Sequence, residues 1–454
     1  MLFLEPHNIK LDLFFSRLID GIKRYRYVII AFYFISLMIA TIIIFSTQLF
    51  DHSVGEISRG VVFQYNSLFI LIFIFTFFIF FRSRISLVAF FFPLVWAVTS
   101  SLLLSFFLFD MEYRIVLLIP LVTALLSNFG FQLFSFYKTE RLKGNGLSIV
   151  LKQLYFVQGK KTLRLFVPYF VAFLAIIIFS SDKVVVNATL FILISLIVGW
   201  LSFCFLMPAF LLVLEKTSVS NQEIPYVHEK VFHFNYLEAL LVIILMGIGL
   251  YAAYDLEIFS LTQVSAKIWQ SITLINNTED QNFYLMMKEI TLIQLCIFSV
   301  IGTLLVATIK RIQGILYYFI PLGFSMLSVF AVLWLLQKFI PLEIMKINQF
   351  IYLLFPLLEA LTFSTVYLLY TNLRRLKKQD MDHIMKISGN DIFWMHFSLF
   401  IACILLIFIP IKEIQGVGIV GGLLIGVIYL QYLIFFPLVV QVLKRKIFWS
   451  FNEK

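Results

Sequence analysis

One acidic residue lies in the middle of a long apolar run, and its surroundings hold the clearest candidate chemistry of this sequence. Glu359 is centred in the segment 346–371, with Thr362, Ser364 and Thr365 following it closely. At the centre of a bilayer a carboxylate costs at least about 2.5–3.5 kcal/mol, so such a residue faces a protein interior or a wet cavity. Low dielectric disfavours the ionised form, which makes Glu359 a candidate acceptor for a proton or cation.

A second polar group lies in the apolar segment 115–137. Thr123 and Ser127 are four residues apart, as are Asn128 and Gln132, so each pair shares a face of a helix. The candidates for proton or cation coupling are six side chains: Glu359, Asn128, Ser127, Thr123, Thr362 and Ser364. The alternative is structural, because a protonated glutamate can join helices by hydrogen-bonding threonine or serine. Both interpretations stay open at this point.

The composition identifies lipid as the solvent of this fold. Of the 454 residues, 61% are hydrophobic and 13% are charged, and the mean hydropathy is +0.99. A soluble domain is about half apolar and about a quarter charged, so these values exclude a soluble enzyme, a disordered chain and a disulfide-rich secreted protein. A membrane β-barrel is excluded because its strands alternate polar and apolar residues, whereas the apolar runs here are continuous.

These runs predict an all-α integral membrane protein with twelve transmembrane helices. A helix of about 20 apolar residues is long enough to cross the hydrocarbon. The predicted spans are 27–50, 66–81, 85–109, 115–137, 164–181, 186–214, 235–254, 290–309, 313–337, 346–371, 392–411 and 416–442.

Basic residues alternate between the connections and predict the orientation. The two termini and every second connection hold 27 of the 35 Lys and Arg residues. Positive charge is retained on the cytoplasmic side of membrane proteins, so we expect both termini to be cytoplasmic. This distribution over many loops also accounts for the net charge of +10 without a nucleic-acid partner, which we do not expect.

Three matched pairs of prolines indicate that the last six spans repeat the first six. The pairs, which are separated by nearly the same length of chain, are Pro93 with Pro321, Pro120 with Pro356, and Pro208 with Pro437. An even number of spans separates equivalent positions, so the halves share one orientation, as in the parallel repeats of some transporters. The predicted parts are an amphipathic lead-in, a six-helix repeat, a linker, a second repeat and a tail, at 1–26, 27–216, 217–234, 235–443 and 444–454.

The repeat also aligns the two polar groups. At the spacing of the second proline pair, Thr123 matches Glu359 and Asn128 matches Ser364. Because the fourth and tenth spans are equivalent and carry these groups, we expect them to form a central pair with a polar seam where they meet.

The rest of the sequence offers little further chemistry. Gly418, Gly422 and Gly426 lie on one face of the last span and predict close helix packing. His396, one turn into the eleventh span, is predicted to be a hydrogen-bonding residue near the membrane interface, with a part in a proton relay as the alternative. The three cysteines lie in apolar runs without metal spacing, and a phosphate-binding Gly-Lys-Ser/Thr motif is lacking. We therefore expect no enzymatic activity, metal or cofactor.

The stretch 113–216 resembles part of a known membrane family. The run 133–144 resembles the family's aromatic, basic and acidic run, which leads into a cytoplasmic amphipathic helix, here 147–158. The Gly-Lys-Lys sequence at 159–161 and the segment around Pro208 resemble its next two helix boundaries. Together with the repeated plan of one helix followed by five, these motifs resemble the resistance–nodulation–division (RND) superfamily, and most closely its MMPL-type predicted exporters and their sterol-sensing-domain relatives.

Two departures from the family pattern shape the expected mechanism. The outer segments 51–65 and 255–289 are too short for the family's large extracytoplasmic domains. Asn128 and Phe129 stand where the family commonly has an Asp-Tyr pair for proton coupling. Asparagine does not titrate at ordinary pH, so the hypothesis is that Glu359 replaces the missing acid.

The resemblance implies a reduced RND-like transporter that exports or moves a lipid or another hydrophobic molecule, with proton coupling through Glu359. The implied partners are membrane lipids, the hydrophobic substrate and periplasmic or outer-membrane proteins, and the implied location is the inner (cytoplasmic) membrane. The alternative is a non-transporting scaffold or sensor with a degenerate proton relay, which the missing acid and missing domains favour.

Overall fold

The computed structural model describes residues 9–46, 84–109, 111–214, 351–375, 381–409 and 411–447, with six more positions between 293 and 303. Four predicted spans, 66–81, 235–254, 290–309 and 313–337, lie wholly or almost wholly outside the described residues. The described chain is helical, and the helices are α1 Ile9–Ser46, α2 Arg84–Leu108, α3 Tyr113–Val116, α4 Ile119–Leu142, α5 Leu147–Gln153, a π-helix Leu154–Gly159, α6 Lys160–Phe179, α7 Lys183–Leu214, α8 Ile351–Arg375, α9 Met381–Ile407 and α10 Lys412–Ile447.

Five segments of the described helices are long and apolar enough to cross a membrane: Arg17–Ile43, Val88–Leu108, Arg114–Arg141, Lys183–Leu214 and Ile414–Tyr432. Three shorter apolar segments are Arg164–Phe179, Leu357–Leu369 and Asp391–Ile407. A helix satisfies its backbone hydrogen bonds internally, which is what a chain in hydrocarbon requires. The protein is thus a helical, multi-pass membrane protein.

The lead-in and the first predicted span form one helix with a kink. Tyr25 interrupts α1 with non-helical dihedral angles, φ −107° and ψ 15°. On the N-terminal side, Ile19 and Ile22 are buried against Tyr155 of the π-helix and two residues of α7. Beyond the kink, most of the apolar side chains of α1 are exposed, as expected for a helix in contact with lipid. The kink thus separates a packed amphipathic segment from a membrane span.

The last two helices extend well beyond their predicted spans. α9 begins at Met381 instead of residue 392, and α10 ends at Ile447 instead of residue 442. Part of the predicted basic loop 372–391 is therefore helical. An apolar run marks the stretch of helix inside the hydrocarbon, while its polar continuation outside the membrane is not visible in hydropathy.

Two helices form the centre of the described bundle. All residues in the most apolar stretch of α4 are buried inside the protein, whereas 6% of the residues in the most apolar stretch of α1 are buried. The stretch 357–369 of α8 is also buried at every position. The two helices with the candidate polar residues are thus both enclosed by protein, as the sequence predicted.

The predicted direct pairing of these two helices needs correction. The extended contacts run crosswise: α4 packs along α9, and α8 packs along α6. By the repeat, α4 is equivalent to α8 and α6 is equivalent to α9, so the two crosswise contacts are themselves equivalent. The reason is geometric, since in a bundle with twofold-related halves each central helix can bury its face against the neighbour of its counterpart.

Glycine permits a close approach of α9 and α10. A Cβ atom on Gly418 would lie 2.6 Å from the Cys403 carbonyl oxygen and 2.8 Å from the Ile407 backbone nitrogen. At Gly422 the nearest atom would be 3.6 Å away, and at Gly426 3.7 Å, which are ordinary contacts. The stripe of glycines therefore has one position where the backbones themselves set the spacing.

We expect Gly418→Ala to destabilise the protein by about 1–2 kcal/mol, because the helix backbones must separate. Gly422→Ala is the matched control on the same face, where the methyl group fits. The free energy of unfolding in mixed detergent micelles measures both. Equal effects of the two substitutions would contradict this account of the α9–α10 contact.

Candidate functional site

A buried asparagine connects α4 to α9. The Asn128 amide nitrogen donates a hydrogen bond to the Met395 carbonyl at 3.3 Å, and its oxygen accepts one from the Ser398 hydroxyl at 2.6 Å. One turn further along α4, Gln132 points its amide at the Met395 sulfur, 3.4 Å away. Since an unpaired amide is costly in an apolar interior, these contacts fix the register of α4 against α9.

The equivalent contact between α8 and α6 is made by Ser364 and Tyr169. The Tyr169 hydroxyl faces the Ser364 hydroxyl, and both residues are buried. Along the sequence, Ser364 is separated from Asn128, and Ser398 from Tyr169, by the spacings of two of the matched proline pairs. The two polar contacts therefore occupy corresponding places in the two halves.

A second pair of contacts repeats in nearly the same way. The Phe131 ring of α4 lies 4.7 Å from the Trp394 ring of α9, measured between centroids. Close to the corresponding place, Arg164 of α6 donates a hydrogen bond to the Tyr367 hydroxyl of α8 at 3.1 Å. The position is shared, but the chemistry differs, because one half uses two aromatic rings in tilted contact and the other a charged donor.

The hydroxyl groups near the centre fall into two classes. Ser127 and Thr365 donate to carbonyls of their own helices, at 2.7 Å and 2.9 Å. Thr123, Thr362 and Ser364 are also buried. The Ser364 hydroxyl faces the Tyr169 hydroxyl and the Thr362 hydroxyl faces that of Tyr432, while the Thr123 hydroxyl has no hydrogen-bond partner among the described residues.

Glu359 is fully enclosed in the centre of α8, with an exposed fraction of 0%. Its helix is surrounded by α6, α9 and α10, so the carboxyl group points into protein and not at acyl chains. Thr362 lies three residues further on the same face of the helix. An acid in this position is costly unless it is neutral or compensated, which is a property expected of a coupling residue.

The hydrogen bonds of Asn128 among the described residues go to α9, and its predicted partnership with Glu359 stays a prediction. The sequence analysis missed Met395, Ser398 and Tyr169. The repeat contained a signal for the last two, since its spacing pairs them across the halves.

His396 lies early in the apolar segment Asp391–Ile407 of α9 and is 2% exposed. Its Nδ1 atom lies 2.8 Å from the Ile392 carbonyl oxygen, so the expected hydrogen bond is present. Its position near the membrane interface stays a prediction. In the described part of the chain, no group of three or more His, Cys, Asp and Glu residues could hold a metal ion.

Comparisons with known proteins agree with this architecture at the level of the fold. No protein-family model matches the sequence, and no curated protein matches it. Among solved structures, the chain is similar to SecDF, a translocon-associated membrane protein from Thermus thermophilus, with a TM-score of 0.64, 9% identity and 85% of this chain covered.

A second structure, SecDF in a form described as super-membrane-facing, has a TM-score of 0.64 at 10% identity and covers 87% of this chain. This chain spans 62% and 63% of the length of these two SecDF chains. Identity this low relates the folds and not the activities. The chain thus has a SecDF-like fold.

Proposed function

We propose that this protein is a reduced RND transporter of the MMPL type, which moves a lipid or another hydrophobic molecule and is driven by protonation of Glu359. On this proposal it has twelve spans in two parallel six-helix repeats, lies in the inner membrane and has both termini in the cytoplasm. Its partners are membrane lipids, the hydrophobic substrate and periplasmic or outer-membrane proteins.

The observation that carries the proposal is the complete enclosure of Glu359 at the interface of the two halves. A carboxyl group there changes the electrostatic energy of the interface whenever it gains or loses a proton, because the local dielectric is low. The same interface contains the two equivalent contacts, Asn128–Ser398 and Ser364–Tyr169. Protonation therefore acts on the place where the halves can shift relative to each other.

The hydroxyls of Thr362 and Ser364 support the same proposal, because they face the hydroxyls of Tyr432 and Tyr169 on neighbouring helices. A hydroxyl group can accept one proton and release another. The Ser127 hydroxyl donates to its own helix, so its part in coupling is restricted to supporting α4. Thr123, equivalent to Glu359 in the other half, has a hydroxyl without a hydrogen-bond partner among the described residues.

The alternative function is a non-transporting scaffold or sensor. The observation that favours it is Asn128, which stands in the place of the family acid and is locked by two hydrogen bonds to α9. Such an arrangement stabilises one relative position of the halves. SecDF is itself described as associated with a translocon, and a scaffold role for this chain would likewise be an association with partner proteins.

The test measures proton movement and lipid movement in proteoliposomes under an imposed pH gradient. Pyranine inside the vesicles reports protons, and dithionite quenching of a fluorescent phospholipid reports transfer between leaflets. We expect Glu359→Gln to reduce the gradient-dependent part of both signals at least about tenfold, because glutamine does not titrate.

The matched control is Thr365→Val on the same helix, because the Thr365 hydroxyl donates its hydrogen bond to the Leu361 carbonyl. It is expected to retain both signals. If Glu359→Gln keeps the wild-type dependence on the gradient, the coupling proposal is wrong and the scaffold alternative is favoured.

A further inference from the structure

His396 is buried, and among the described residues one of its two ring nitrogens takes part in a hydrogen bond while the other does not. Its Nδ1 lies 2.8 Å from the Ile392 carbonyl oxygen. A carbonyl only accepts, so Nδ1 carries the hydrogen, and in the neutral ring Nε2 has the lone pair. That Nε2 atom is buried and has no hydrogen-bond partner among the described residues. The backbone bond therefore orients the ring and leaves a proton-accepting nitrogen inside the bundle.

Tyr432 of α10 connects this ring to α8. Its ring centroid is 6.4 Å from that of His396, and its hydroxyl donates a long hydrogen bond of 3.4 Å to the Thr362 carbonyl. The same hydroxyl also faces the hydroxyl of Thr362. Thr362 is one helical turn from Glu359. The polar groups thus follow one another from α9 through α10 to the acid on α8.

We propose that His396 is a second proton-binding group, and that Tyr432 and Thr362 connect it to Glu359. This inference rests on the proposed function, in which Glu359 exchanges protons. A proton from water on the predicted cytoplasmic side binds Nε2 and forms the imidazolium. The same nitrogen then releases a proton towards the two hydroxyls, each of which accepts one proton and passes on its own. The carboxylate receives the last proton and becomes neutral, and the imidazole returns to its starting form.

Few titratable groups face His396 from the described helices that pack around it. The titratable side chains in ring contact with it are Tyr429 and Tyr432, both on α10. α4 approaches α9 at this level with Asn128 and Gln132, which do not titrate. The buried stretch 357–369 of α8 carries two titratable groups, Glu359 and Tyr367, and the Tyr367 hydroxyl accepts a hydrogen bond from Arg164.

The experiment follows the infrared carbonyl band of protonated Glu359, assigned by its loss in Glu359→Gln, after a pH jump in full-length protein. Tyr432→Phe retains the ring and removes the hydroxyl. His396→Asn keeps a donor near the Nδ1 position and removes Nε2. We expect both substitutions to slow the appearance of the band at least about tenfold and to leave its final amplitude unchanged.

Tyr429→Phe is the matched control, because its ring also contacts His396, at a centroid distance of 5.4 Å, while the hydrogen bond to the Thr362 carbonyl is made by Tyr432. It is expected to remain within about twofold of the wild-type rate. A wild-type rate in Tyr432→Phe overturns the route alone, even if His396→Asn does not fold. Absence of any exchange in the wild-type protein overturns both the route and the proposed function.

Discussion

Asn128→Leu is expected to destabilise the protein by about 2–4 kcal/mol, because two buried hydrogen bonds between α4 and α9 are lost at once. Leucine has a similar branched shape to asparagine, so the effect is mainly one of polarity and not of packing. The Ser398 hydroxyl loses its acceptor at 2.6 Å, and the Met395 carbonyl loses the amide donor from α4. The free energy of unfolding in mixed detergent micelles measures the loss.

The neighbouring Ser127→Ala is the matched control, because that hydroxyl bonds only within α4, to the Ala124 carbonyl at 2.7 Å. We expect a cost of about 0.5–1 kcal/mol there. A double-mutant cycle of Asn128→Leu with Ser398→Ala should give a coupling energy of about 0.6–1.7 kcal/mol, the range of hydrogen bonds between membrane helices. No coupling, or equal costs at residues 127 and 128, would show that this contact does not hold the halves together.

The membrane fold was predictable because a bilayer requires long apolar helices, and hydropathy and segment length reveal such helices in a sequence. The segments 85–109 and 186–214 were predicted within a few residues of α2 and α7. The start of α9 at Met381 was not predictable in this way, because hydropathy follows lipid contact and not backbone hydrogen bonds. The similarity to SecDF concerns the fold alone, and the count of twelve spans depends on segments outside the described residues.

The candidate site was predictable in its residue types but not in its partners. A carboxyl group in hydrocarbon has few permitted positions, so the burial of Glu359 follows from its place in the sequence. The contact of Asn128 with α9 does not follow, because a repeat shows which helices are equivalent and not which faces meet. Two equivalent helices can pair directly or each with the other's neighbour, and only side-chain packing decides between these arrangements.

The second prediction concerns Tyr155, whose hydroxyl donates a hydrogen bond to a backbone carbonyl that a proline leaves unpaired. Proline has no N–H group, so Pro208 cannot bond the carbonyl four residues before it, which belongs to Cys204. The Tyr155 hydroxyl donates to that same carbonyl. Burial raises the pKa of the Tyr155 phenol well above its ordinary value of 10.0, with the nearby Cys204 adding to the effect, so the hydroxyl remains a donor at physiological pH.

We expect Tyr155→Phe to destabilise the protein by up to about 3 kcal/mol, because a buried carbonyl is left without a donor. In a Pro208→Ala background the backbone N–H returns and can bond Cys204, so the same substitution should cost less than about 0.5 kcal/mol. Unfolding free energies of the wild type, the two single variants and the double variant complete this cycle. Tyr27→Phe, on the exposed face of α1, gives the baseline for losing a phenol hydroxyl.

The cycle separates two explanations of the contact. If Tyr155 stabilises the π-helix mainly through its ring, which packs with Ile19 and Ile22 of α1, removal of its hydroxyl costs little in either background. If the hydroxyl compensates for the proline, the cost appears only when Pro208 is present. A cost that is equal and large in both backgrounds would contradict the second explanation, since restoring the N–H would then leave the need for the tyrosine unchanged.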